Sequence, residues 1–126
     1  MDFMIMTNNP EIAKSYQDFN VYCVEGTILQ LFFNVRDLIH KGHRLLMHPL
    51  SGSLKPGTMP YKTIVLTSGK AQLDLESLYY IENSIETYHK TKTDLSGIND
   101  QEILLDYAMV DLLHLQAFLE SGIVLS

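Results

Sequence analysis

The sequence predicts a layered α/β domain, Rossmann-like, with a mostly parallel sheet of four to five strands flanked by helices. Three observations lead there. Short runs rich in β-branched, aromatic or aliphatic residues at 3–6, 19–24, 45–47 and 62–67 read as strands. Stretches with apolar residues at helical spacing alternate with them. At 126 residues, 46% hydrophobic and 19% charged, the chain has the length and apolar content to bury one core, so residues 1–126 read as a single domain.

The first strand, residues 3–6, runs into Thr7-Asn8-Asn9-Pro10, where an Asn cap followed by Pro in the first turn opens a short helix over about 11–18. Residues 19–24 form the second strand, and Gly26-Thr27 punctuates it. From Ile28, apolar residues at Leu31, Phe32, Val35, Leu38 and Ile39 make the stripe of an amphipathic helix that Gly42 closes. Residues 45–47 and 62–67 (KTIVLT) supply the third and fourth strands around a Ser-, Gly- and Pro-rich loop of functional length. Asp74 caps the next helix, which has Leu78, Ile81, Ile85 and Tyr88 on one face. Asn99 with Glu102 forms a capping box for a last helix through Leu119. That helix is apolar around much of its circumference, which predicts burial or a covering partner. A homodimer through residues 100–119 is the expected cover, with Ile123, Val124 and Leu125 free to join a sheet edge or cross the interface.

The net charge of -6, with nine Lys and Arg, opposes sequence-independent binding to nucleic acid or to an anionic membrane, because such binding neutralises phosphates with cations. No run approaches the roughly 20 apolar residues that span a bilayer, and the acidic, short apolar N-terminus is unlike a signal peptide, so the expected location is cytoplasmic. The lone Cys23 sits in a strand-like run and reads as a buried structural thiol, with a redox or nucleophilic role as the alternative.

In a parallel sheet, ligands lie beyond the carboxyl ends of the strands. Asn8 and Asn9 after the first strand and His48 to Lys55 after the third should therefore emerge on one edge. There Ser51, Gly52 and Ser53 offer hydroxyls and free amides, and Lys55 a cation, a composition suited to a small anion; the alternative is a plain surface turn. Neither a nucleotide P-loop spacing nor GxGxxG is present. His40, His43 and His48 are close in sequence but flank different elements. Asp111 and His114, spaced i, i+3, lack the further ligands that zinc needs, so no metal or cofactor is expected.

The segment His40-Lys41-Gly42-His43-Arg44-Leu45-Leu46, followed by His48-Pro49-Leu50-Ser51-Gly52-Ser53-Leu54-Lys55-Pro56 and Pro60-Tyr61-Lys62, resembles the GrdX family. Thr7-Asn8-Asn9-Pro10 and Leu73-Asp74-Leu75-Glu76-Ser77-Leu78 fit it too. The resemblance runs through about Ile85, and the His-Pro-Leu-Ser-Gly-Ser stretch is its most specific part. It implies a small protein encoded beside glycine reductase components in amino-acid-fermenting anaerobes, and so a pathway without a reaction. Asn8, Asn9, His48, Ser51, Ser53 and Lys55 stand on the family's motif positions, but no catalytic role is carried over to any of them.

Three readings of function follow. The first is a non-enzymatic accessory or regulatory protein that binds a small anionic ligand or a glycine reductase subunit through the strand-end loops. The second is an enzyme acting on a small carboxylate or phosphorylated metabolite, with Ser53 and Lys55 on the anion, His48 moving a proton and Asn8 or Asn9 positioning the substrate. A structural homodimer without ligand is the third reading.

Overall fold

The structure, a computed structural model, describes residues 2–51, 59–91 and 100–121. Its elements run β1 (Phe3–Thr7), α1 (Pro10–Ser15), β2 (Val21–Cys23), α2 (Ile28–His40), β3 (Thr63–Thr67), α3 (Leu75–Lys90) and α4 (Gln101–Glu120). The sheet order is β2-β1-β3. β1 and β2 are parallel, with Ile5 opposite Val21, and β1 and β3 are antiparallel, with Thr7 opposite Thr63 and Phe3 opposite Thr67.

This corrects the expected architecture. Among the described residues the sheet has three strands and is mixed, rather than four or five mostly parallel ones. Residues 45–47 fail to become a strand because their backbone groups are divided among different partners. Leu46 N donates to Val65 O at 2.9 Å and Thr67 N to Arg44 O at 2.8 Å, but Arg44 N turns to Thr67 Oγ1 at 2.8 Å instead of the Thr67 carbonyl, leaving one isolated antiparallel bridge between Leu45 and Leu66.

Period-2 alternation in the strands builds two apolar layers. Met4, Met6, Ile64 and Leu66 face α2 and α3, where Leu31, Phe32, Val35, Ile39, Ile81 and Ile85 bury and Phe32 meets Tyr88 edge-on at 5.3 Å. Ile5 and Val65, one residue out of phase, face the other way onto Ile12 of α1, Met47 and Leu115 of α4.

The helix ends follow local chemistry. Asn9 Oδ1 accepts from Glu11 N at 3.0 Å to start α1, which ends at Ser15, earlier than expected. Thr27 and Gln30 exchange bonds as a capping box for α2, and Asp74 caps α3 through Ser77 N. α2 closes in a Schellman motif, His43 N to Leu38 O and Gly42 N to Ile39 O. Gly42 has φ of 107°, and a Cβ there would lie 2.3 Å from Ala71 O, so glycine is required twice over. For α4 the cap is Asp100, which accepts from Glu102 N at 2.9 Å, in place of the expected Asn99, which lies outside the described residues. The tail residues Ile123, Val124 and Leu125 also lie outside them. Cys23 is exposed on edge strand β2 rather than buried, and desolvation together with Glu25 raises its thiol pKa, which works against a thiolate. No described helix is long and apolar enough to cross a membrane.

Candidate functional site

Because β3 runs antiparallel to β1, its first residues stand at the edge where β1 ends. Because Leu45 bridges Leu66 antiparallel, residues 44–47 run in the direction of β1 and release His48 toward the same edge. Asn8, Asn9 and His48 thus leave the sheet on one side, with Lys62 and Thr63 between them.

The asparagines are spent on structure. Asn8, 7% exposed, accepts from Lys62 N at 2.8 Å through Oδ1 and donates through Nδ2 to Gly26 O at 3.0 Å and Pro60 O at 2.9 Å. It ties the end of β1 to the start of α2 and to the approach to β3. Asn9, fully buried, caps α1 and donates to Ala108 O at 2.9 Å and to Asp111 Oδ2 at 3.0 Å, which fixes α4 against the sheet edge.

Asp111 is the hub of this network. Its Oδ2 also accepts from Thr63 Oγ1 at 2.7 Å, and Thr63 Oγ1 lies 2.8 Å from Thr7 Oγ1. A buried carboxylate is tolerated here because charge-assisted hydrogen bonds and a nearby cation replace water. The cation is Lys62, 4% exposed, whose ammonium donates to Ser51 O. Burial pulls its pKa from 10.5 down to about 8, against Asp111, which pulls it upward.

One turn along α4, His114 faces the same place. Its Nε2 is buried and makes no hydrogen bond of good geometry among the described residues. Burial and then the Lys62 charge lower its pKa, while Asp111 and the Ser51 carbonyl act in the opposite direction. Lys62, Asp111, His114 and Ser51, with Met59, Tyr61 and Val110, line a cavity of about 20 Å³. That volume holds one water and no metabolite. Ser51 and Met59 are the residues that bracket 52–58 in the chain, so the expected ligand residues Gly52, Ser53 and Lys55, which lie outside the described residues, belong to the segment joined to this cavity.

His48 stands apart from the cavity. It is exposed, meets the Tyr80 ring at a tilt of 53° with 4.9 Å between centroids, and accepts from Leu50 N at 3.1 Å through Nδ1. It lines an open cleft of about 370 Å³ with Arg44, Asp74, Glu76 and Tyr80. His43, by contrast, is buried, with Nδ1 2.8 Å from Thr67 O. Among the described residues no three His, Cys, Asp or Glu side chains converge as a metal site would need.

Lys62 is the residue that reading the sequence missed. It looks like the first residue of a strand, and only its position before an antiparallel β3 brings it to the site. Asp111 and His114 did carry a signal, their i, i+3 spacing, which sets both on one helical face; their partner proves to be a lysine.

A family model described as GrdX-like protein matches residues 4–120, a span that takes in α4, which the motif resemblance did not reach. Comparison with curated proteins and with solved structures found no match.

Proposed function

The chain belongs to the GrdX-like family, and from that premise we propose that it is an accessory or regulatory protein of glycine reductase metabolism, binding a small anionic ligand or a reductase subunit at the sheet edge around Lys62. The observation that carries this reading is the buried Lys62 ammonium, held beside Asp111 and His114 in a cavity whose walls, Ser51 and Met59, flank the Ser-, Gly- and Lys-bearing segment. The cavity itself takes one water, so an anion held by Ser51, Ser53 and Lys55 stays outside it and feels the Lys62 charge across a desolvated edge rather than by contact. Asn8 and Asn9 serve this site by holding the edge in register rather than by touching ligand.

The test is thermal unfolding of wild type, Lys55→Ala and Lys62→Met against phosphate, sulfate, acetyl phosphate, glycine and related carboxylates. A ligand at about 100 times its dissociation constant stabilises by roughly 2.7 kcal/mol, which raises the midpoint of a domain this size by several degrees. A shift in wild type that both variants lose supports a ligand at this edge. A shift that survives in both moves the ligand elsewhere. No shift with any compound removes the small-anion reading and leaves the reductase subunit.

One observation favours the enzymatic reading. His48 is exposed in a cleft with Arg44, and the Leu50 amide occupies Nδ1, which places the proton of the neutral ring on Nε2. In that reading His48→Ala abolishes turnover and spares ligand affinity.

A further inference from the structure

We infer that the outward face of α4 is a docking surface for a protein groove with an apolar floor and a basic rim. Helix α4 turns Ala108, Asp111 and Leu115 inward, yet its opposite side carries Ile103, Leu105, Met109, Val110 and Leu113, between 40% and 59% exposed. Leu105, Met109 and Leu113 follow one another at four-residue spacing, and Ile103 and Val110 flank them one row over. This is the pattern by which a helix anchors in a groove. Their exposed area is on the order of 400 Å², with exposed Asp106 standing between the two rows.

Charge selects the occupant. Glu102, Asp106 and Glu120 are exposed on this helix, which contains no Lys or Arg, and its fourth acid, Asp111, is turned inward beside the buried Lys62. A second copy of the chain is a poor cover. Antiparallel pairing that sets Met109 of one copy on Leu113 of the other also sets Glu102 against Glu120, since both lie equally far from Asp111. Parallel pairing sets each carboxylate beside its own copy. Like charges so placed oppose pairing, and each chain brings a net charge of -6 besides. Lysines or arginines around an apolar floor satisfy the same rim instead. Val110 belongs both to this face and to the wall of the Lys62 cavity, so an occupant of the face abuts that cavity. The inference stands independently of the small-ligand reading.

The experiment uses the full chain and two labelled amphipathic helical peptides of equal length, each with a leucine stripe, one flanked by lysine and the other by glutamate, followed by fluorescence anisotropy. Expected is binding of the lysine-flanked peptide at least about tenfold tighter than its twin, weakening with salt. Met109→Ser with Leu113→Ser, at exposed positions that leave the core intact, removes it. Leu75→Ser with Tyr79→Ser, on the exposed side of α3, leaves it unchanged. Glu102→Lys, Asp106→Lys and Glu120→Lys together invert the preference. Equal affinity for the two peptides, no binding of either, or loss of binding in the α3 variant overturns the inference. So does a dimer in light scattering that Leu113→Ser dissociates, which gives the face to a second copy. Binding that appears only after removal of residues 122–126 assigns the face to the chain's own tail and overturns it as well.

Discussion

Lys62 makes stability depend on pH in a direction opposite to that of an ordinary surface lysine pair. Holding its ammonium at about 8 rather than 10.5 costs the folded protein about 3 kcal/mol whenever the amine is charged in both states. Below pH 8 that cost is fully present. Between about pH 8 and 10.5 the unfolded chain binds the proton that the folded chain has released, so stability rises with pH. From pH 7 to about 9.5 the gain integrates to about 2 kcal/mol. The perturbation is Lys62→Met, which keeps the buried stem and removes the titrating group. The assay is urea unfolding followed by circular dichroism across that range. Tyr16, raised first by burial, and Tyr80, raised first by Glu76, also favour their neutral forms in the folded state, and they act against stability at the alkaline end. They are common to both proteins, so the difference between wild type and variant isolates Lys62. Parallel curves for the two would refute the account of Lys62 as a desolvated cation.

Asp111→Ala leaves the Asn9 amide with the Ala108 carbonyl alone, takes away the acceptor of the Thr63 hydroxyl and removes the Asp111 charge from beside Lys62; a loss of about 2–4 kcal/mol in urea unfolding is expected, and a loss below about 1 would show that the network relaxes onto water. Asn9→Ala forfeits the α1 cap and the link to α4 together, with an expected cost of about 2 kcal/mol that is less than additive with Asp111→Ala because the two share a hydrogen bond. Gly42→Ala should cost at least about 1 kcal/mol through its positive φ alone, with the Ala71 carbonyl adding to it, and an unchanged melting midpoint would contradict that geometry. Native Cys23 should react completely with a thiol reagent, slowly near neutral pH and faster as pH rises, whereas protection until unfolding would return it to the buried class.

Local signals were legible where one residue type has one physical use. The Asn9-Pro10 start of α1, the Gly42 stop of α2 and the Asp74 cap of α3 each appear where the sequence places them, because caps and positive-φ glycines depend on a few neighbouring atoms. Boundaries were weaker where two local solutions compete. Asn99 and Asp100 both offer a capping oxygen, and Asp100 is the one that accepts from Glu102 N. Residues 45–47 have the composition of a strand, yet the Thr67 hydroxyl, more than 20 residues away in sequence, takes the Arg44 amide that would extend the ladder to β3.

By itself the sequence determined the alternation of short strands and helices, the Asn9 and Asp74 caps and the Gly42 stop. Tertiary structure alone decided that β3 runs antiparallel, and with it the composition of the site. In a parallel strand Lys62 would start at the far edge. In the observed sheet it stands beside the end of β1 and meets Asp111, whose Oδ2 reaches Thr63 across 48 residues of chain. Strand direction is set by how the connecting chain closes and which non-local pairs form, and those energies have no counterpart in local residue preferences.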